Sequence, residues 1–204
     1  TLSFPSVGAT ENILIAAASA DGETVILNAA REPEIADLAD FLCSCGAHIS
    51  GAGSGEITVC GMKKLHSAEH TVIPDRIIAS TYMAAAAVTG GDVHILDTRA
   101  EHITPVIPVF EQAGCKVDCG ENSVHISAPV RLRSVQTVRT MPYPGFPTDS
   151  QAAVMAMLSV AHGTSVMIEN IFENRYRHVR ELCRLGADIM TEGKVAVIKG
   201  VETL

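Results

Sequence analysis

The strongest constraint on this chain is a short signal that occurs three times. Gly46-Ala47-His48-Ile49, Gly114-Cys115-Lys116-Val117 and Gly186-Ala187-Asp188-Ile189 share the pattern G-[AC]-x-[IV], at separations of 68 and 72 residues. The flanks repeat with it. A polar turn opens each copy: SVGATEN from Ser6, PDRIIAS from Pro74 and PTDSQAA from Pro147. An alanine-rich apolar run follows (ILIAAASA, TYMAAAAV, AVMAMLSV), then a glycine stop at Gly22, Gly90-Gly91 and Gly163, then a β-rich run (TVILN, DVHIL, SVMIEN). A second helical stretch leads to the shared glycine, and two short strands close the copy, as AHIS and EITVCG do in the first. An extended segment stands ahead of each copy (LSF, HTVI, VRTM), so the chain reads as three βαβαββ units of an α/β fold. A chance alternation of helices and strands is the plainer alternative, and three glycine signals with matching flanks speak against it.

The second helix of the first copy shows the physics. Pro33 suits a first helical turn, where its missing N–H is harmless. Glu32 and Glu34 lie near the positive end of the helix dipole. Ile35, Leu38, Phe41, Leu42 and Cys45 follow helical spacing and predict one apolar face, and Gly46 suits the left-handed residue that ends many helices. Copy two repeats the face with Ile103, Val106, Ile107 and Phe110, but Pro105 and Pro108 require either a first-turn position or a later start. The first helices are almost wholly apolar and are expected to be buried on most sides, whereas the second helices are amphipathic and belong in an outer layer. Leu65 to His70 is the best candidate for a linker.

Composition narrows the functions. The chain has 204 residues, 47% of them hydrophobic, and a formal charge of -8. An acidic surface repels phosphate backbones, so no nucleic-acid partner is expected, and any anionic ligand must be held by local donors. Six cysteines (Cys43, Cys45, Cys60, Cys115, Cys119, Cys183) fall at spacings that match no structural zinc pattern. The eight histidines show no H-x3-H or HExxH, so no metal site is predicted. No signal-peptide pattern is read, and no apolar span of about 18 residues, so a reduced cytoplasmic setting without membrane insertion is expected. The run MAAAAV suits a buried helix.

Four places offer chemistry, and each has a plainer alternative. SVGATEN runs into a helix whose free N–H groups favour an anion, with Gly8 permitting close approach; an ordinary capped turn explains it too. Asp149 follows the stiff stretch PYPGFPT and is either an N-cap or first-turn carboxylate that stabilises the helix, worth about 1 kcal/mol, or a rigidly mounted general base. In IFENRYRHVREL, Arg175, Arg177 and Arg180 either hold a phosphate or carboxylate or form a solvated helix face with Glu173 and Glu181. Arg31 and Arg76 place further polar groups at corresponding turns. Cys43, Cys45, Cys115 and Cys183 read as core or half-buried thiols rather than nucleophiles.

PSVGATEN, NAAREPEI, HTVIPDRI, PYPGFPTD and IFENRYRHV, in this order, resemble the UDP-N-acetylglucosamine 1-carboxyvinyltransferases, enolpyruvyl transferases of peptidoglycan synthesis. The resemblance covers essentially the whole chain. It implies the enolpyruvyl transferase (inside-out α/β barrel) fold, in which two domains each hold three βαβαββ units. It also implies a reaction in cell wall biogenesis, and hence a part in cell shape, the cell cycle and cell division. Phosphoenolpyruvate gives its enolpyruvyl group to the 3-hydroxyl of UDP-N-acetylglucosamine by addition and then elimination of phosphate, with no metal or organic cofactor.

Carried over position by position, the resemblance puts the sugar-nucleotide contacts at Phe4, Pro5, Ser6 and Val7, with Gly8 beside them. Some members have lysine where Phe4 stands, so contacts there fall to the backbone. Asp149 matches the acid assigned as base toward the sugar hydroxyl, Ile171 a backbone contact with Phe172 adjoining it, and Arg175 an arginine near the closed cleft. Residues 1–68 are expected to be the last repeat of the first domain, and residues 69–204 two repeats of the second. Family members are about twice this long, and none of the six cysteines matches the family's acid. The 204 residues alone are therefore expected to be inactive. A non-catalytic sugar-nucleotide-binding module is the alternative.

Overall fold

The computed structural model describes residues 1–62 and 64–204. The chain divides into two compact units. One comprises Thr1–Ile73 with Pro142–Pro144, the other Pro74–Met141 with Gly145–Leu204.

The first unit holds one repeat: α1 (Val7–Ala18), β1 (Glu23–Leu27), α2 (Pro33–Ser44), β2 (His48–Ser50) and β3 (Glu56–Cys60). The second holds two. The earlier runs α3 (Arg76–Val88), β4 (Asp92–Leu96), α4 (Ala100–Ile103), α5 (Ile107–Ala113), β5 (Lys116–Cys119) and β6 (Ser123–Ser127). The later runs β7 (Thr137–Arg139), α6 (Gln151–Leu158), β8 (Thr164–Ile168), α7 (Val179–Arg184), β9 (Asp188–Glu192) and β10 (Val195–Lys199). In every repeat the last strand is central: the orders are β1-β3-β2, β4-β6-β5 and β8-β10-β9, all antiparallel. β7 adds to the third sheet, parallel to β8, and α6 lies in the crossover that a parallel pair requires.

The glycine signal has one physical cause in all three places. Gly46, Gly114 and Gly186 have φ of 102°, 103° and 109°, where a Cβ would clash with its own backbone. The residue after each glycine reaches back by its N–H, at 3.0 Å in each case: Ala47 to Leu42 O, Cys115 to Phe110 O and Ala187 to Leu182 O. The glycines themselves bond to Cys43, Glu111 and Cys183. This paired pattern is a Schellman closure, which satisfies carbonyls left open at a helix end. The residue that follows is buried each time, so it must be small: alanine, cysteine, alanine. A second bond closes each repeat. Gly61, Ala128 and Gly200, just past the last strands, donate to Gly22, Gly91 and Gly163, just before the first strands.

The full six-element unit is complete only in the third repeat. Ahead of the first, Leu2 donates one backbone bond to Leu27 without forming a strand, and no strand is assigned at His70–Ile73. The second helix of the middle repeat is split. Pro105 lies in the break between α4 and α5, and Pro108 stands in the first turn of α5, where it displaces no helical bond. Leu65–His70 is tied down rather than loose: His66 N bonds Cys45 O, and the His70 ring meets Asp37 at 2.9 Å and packs against Phe41.

Each unit has its own core. Leu14, Ile26, Ile35, Leu42, Ile57 and Val59 anchor the first. Met83, Phe110, Ile126, Met155, Met167 and Ile198 are among the buried residues of the second, where α3 packs on α6. The first helix of the third repeat, α6, is buried along most of its length as expected, but those of the first two repeats are less enclosed. Ile15 on α1 is 55% exposed, and on α3 Ile78 and Tyr82 are 54% and 61% exposed. A helix that packs on one side against sheet and neighbour keeps its other side in solvent, however apolar. On α2, Phe41 sits at the margin of the predicted face and is exposed, while Ile35 and Leu42 are buried. Among the described residues, no helix is long and apolar enough to cross a membrane.

Candidate functional site

In the first unit, Phe4, Pro5, Ser6, Val7 and Gly8 form one turn into α1. Ser6 N bonds Phe4 O at 2.8 Å, and the Ser6 hydroxyl caps the helix by accepting from Ala9 N at 3.3 Å. Thr10, fully buried, fixes the turn from beneath: its hydroxyl donates to Ser6 O at 2.8 Å and accepts from Ala30 N at 3.0 Å. Gly8 lies inside the first helical turn rather than before it, and a Cβ there would meet nothing within 4 Å. The surface beside this helix start is open.

In the second unit, Asp149 is the middle residue of a 3₁₀ turn, Thr148–Ser150, that leads into α6. Its neighbours on both sides are locked. Thr148 donates its hydroxyl to Glu169 Oε2 at 2.9 Å. Ser150 is buried, with its hydroxyl 2.8 Å from that of Ser80 on α3. Upstream, Phe146 is buried and Met141 N bonds its carbonyl at 3.0 Å. Asp149 itself is exposed and caps nothing; its Oδ1 accepts from Arg175 Nη2 at 2.5 Å. The Arg175 guanidinium also lies 5.2 Å from the centre of the Phe172 ring, within cation–π range. Asp149 is therefore not an N-cap, although it is the acid of the first turn of the 3₁₀ segment leading into α6, and the fold brings Asp149, Phe172 and Arg175 into one cluster.

What holds the cluster is a residue the sequence reading missed. Glu169, just past β8, is 1% exposed and accepts four hydrogen bonds. Thr140 Oγ1 donates at 2.9 Å, Ile171 N at 2.8 Å and Phe172 N at 3.1 Å to Oε1, and Thr148 takes Oε2. One carboxyl group thus joins the turn carrying Asp149 to the loop carrying Ile171, Phe172 and Arg175. Because the Ile171 N–H is committed to Glu169, a backbone contact from Ile171 to a ligand falls to its carbonyl oxygen. Glu directly after the apolar run Val166-Met167-Ile168 was the available signal: an acid at the end of a buried strand needs donors around it.

The loop that follows is a series of turns, and helix α7 starts only at Val179, so Arg175 does not lie on a helix face with Glu173. Asn174 takes the left-handed conformation, with φ 57°. The Tyr176 hydroxyl lies 3.0 Å from the carbonyls of both Met167 and Lys194, and burial pushes its pKa up to about 12. His178 is held below the ordinary histidine range, chiefly by burial. Glu181 pairs with Arg184, not with the loop.

The other polar turns are structural. Asp75 caps α3, accepting from Ile77 N at 2.8 Å and Ile78 N at 3.0 Å. Arg76 is buried. Glu32 accepts from Arg31 N at 3.0 Å and Tyr143 N at 3.4 Å, both inside the first unit. Cys45 and Cys115 are buried as expected, and burial raises Cys115 to about 11; Cys43 and Cys183 are exposed instead, on the outer sides of α2 and α7.

The profile of the EPSP synthase (3-phosphoshikimate 1-carboxyvinyltransferase) family matches residues 1–204. A UDP-N-acetylglucosamine 1-carboxyvinyltransferase 2 from Caldanaerobacter subterraneus is 51% identical over 203 residues, covering 100% of this chain and 49% of the relative. A UDP-N-acetylglucosamine 1-carboxyvinyltransferase from Finegoldia magna is 51% identical over 205 residues, covering 100% and 48%. Among solved structures, the enolpyruvyl transferase NikO from Streptomyces tendae superposes with a TM-score of 0.86 at 25% identity, covering 97% of this chain and 47% of that one. The chain spans about half the length of the curated relatives it matches.

Proposed function

The chain belongs to the EPSP synthase family, and we propose that it is part of an enolpyruvyl transferase acting on UDP-N-acetylglucosamine and phosphoenolpyruvate. In this reading the sugar 3-hydroxyl oxygen bonds to C2 of phosphoenolpyruvate as its proton passes to Asp149, while a general acid supplied by the rest of the enzyme protonates C3 and turns the methylene into a methyl group. Loss of a C3 proton together with phosphate from this tetrahedral adduct then leaves the enol ether. Asp149 is the general base. The observation that carries this is its mounting: an exposed carboxylate that caps no helix, between two neighbours pinned by buried partners. A base fixed within reach of the proton it removes contributes roughly 10²–10⁴-fold. Arg175, now paired with Asp149, has to yield when the hydroxyl arrives, which makes it the residue that holds the acid until substrate replaces it.

Phe4, Pro5, Ser6, Val7 and Gly8 contact the sugar nucleotide, chiefly through backbone groups and the open start of α1. The Ile171 carbonyl and the exposed Phe172 ring serve as further contacts. We assign residues 1–68 to the last repeat of the first family domain and 69–204 to two repeats of the second. The reading invokes no metal or cofactor, and it takes the cytoplasm as the place of the reaction.

The test is Asp149→Asn in a full-length enzyme carrying this segment. Turnover is expected to fall 10²–10⁴-fold, while calorimetry finds UDP-N-acetylglucosamine affinity within a few-fold of the parent. Unchanged turnover would remove Asp149 from the mechanism.

A further inference from the structure

The sheet β4-β6-β5 has two faces. Val93 and Ile95 of β4, with Val124 and Ile126 of β6, turn to the core of the second unit. The alternate residues face outward, and register brings chemistry together there. His94 lies directly across from His125, and Asp118 flanks His125 on its other side. The two imidazoles stack with centroids 4.0 Å apart and planes 5° from parallel. His125 Nε2 is 2.8 Å from Asp92 Oδ1, and its Nδ1 is 3.8 Å from Asp118 Oδ2. One donor atom each from Asp92, His94 and His125 lies within 4.8 Å of the others.

We propose that Asp92, His94 and His125 form a surface site for a borderline divalent transition ion, zinc(II) being the natural candidate, with Asp118 orienting His125 from its second ring nitrogen. Imidazole nitrogen with one carboxylate oxygen suits zinc, cobalt, nickel or copper rather than magnesium or calcium. The ligand arrangement also has the right outer partner. A metal-bound histidine gives its other ring N–H to a carboxylate, which fixes its tautomer, and Asp118 stands on that side. Zinc takes nitrogen and oxygen at about 2.0–2.2 Å, which puts neighbouring ligands of a tetrahedral site roughly 3.4 Å apart. Binding therefore opens the Asp92–His125 pair from 2.8 Å by about half an ångström, draws in whichever ligand atoms stand farther apart, and fans the stacked rings, a movement within reach of exposed rotamers. An ion here staples β4 to β6. The inference is independent of the transferase reading, since none of these residues enters that site.

The experiment titrates the whole chain with cobalt(II) and zinc(II), followed by calorimetry and by the visible spectrum of cobalt. One equivalent is expected to bind with nitrogen and oxygen ligation and no sulfur-to-cobalt charge-transfer band. Zinc should also raise the melting temperature in a concentration-dependent way. His94→Ala and His125→Ala should each weaken binding at least tenfold, and Asp118→Asn by less. His94→Asn, closer in shape, provides a second folded variant. A strong thiolate band, binding that survives in the double histidine variant, or no binding at millimolar metal would each overturn the proposal.

Discussion

Asp75 and Asp149 stand at corresponding turns of consecutive repeats, each leading into the first helix of its unit. Their side chains are used in opposite ways. Asp75 spends its oxygen on the N–H groups of Ile77 and Ile78, so it stabilises α3 and is no longer available. Asp149 is displaced from capping by the short 3₁₀ turn, and its partner is a side chain, Arg175, that an incoming group can replace. The work of holding that turn passes to Glu169 and to the Ser80–Ser150 pair. The buried Glu169 carboxylate fixes the turn, and the Asp149 carboxylate is left with a partner that can be exchanged.

The largest effect that tests this division is catalytic. In a full-length enzyme, Asp149→Asn is expected to cost 10²–10⁴-fold in turnover, whereas Asp75→Asn should leave turnover within a few-fold; equal losses would erase the distinction between the two turns. Next comes Glu169→Ala, measured by denaturant unfolding. It leaves two hydroxyls and two backbone N–H groups without their acceptor, so a loss of roughly 3–5 kcal/mol is expected. Glu169→Gln should recover part of that loss. A loss below about 1 kcal/mol for the alanine variant would show that Glu169 does not hold the turn. Smaller still, Asp75→Ala should cost about 1 kcal/mol through its cap, while Asp149→Ala, which removes no cap, should cost less.

The smallest effect is a pH slope from His178, in the loop that carries Arg175. Its folded pKa is depressed, mainly by burial. Above about pH 6.5 the ring is neutral both folded and unfolded, so it adds no slope. As pH falls below that value the unfolded chain takes up the proton first, and stability declines until the folded pKa is passed. His178→Gln should flatten this decline between mildly acidic and neutral pH. An unchanged slope would move the acid sensitivity elsewhere.

Much of the architecture was readable because its causes are local. A left-handed glycine followed by a small buried residue marks each helix end, and that pairing is written within four consecutive positions. The proline break in the middle repeat was half readable: the residues announced a disturbance, and packing decided that α4 and α5 would separate. The leading strands were over-read in the first two repeats, because an extended segment becomes a strand only when a neighbour offers a ladder, as β8 does for β7. Asp149 was visible as a candidate, but what fixes it was not. Thr140 is 29 residues from Glu169 and Thr148 is 21, and no local pattern links them. The facing of His94 and His125 was hidden for the same reason: it exists only through strand register.

The two buried thiols have a practical consequence. Cys45 belongs to one compact unit and Cys115 to the other; Cys115 is part of its unit's core and Cys45 is buried at the end of α2, so neither is open to reagent while its unit stays folded. Brief alkylation followed by mass spectrometry would thus time the opening of each half separately, with the exposed Cys43 and Cys183 acting as internal standards for reagent supply. The chain carries its own pair of stopwatches, one for each half.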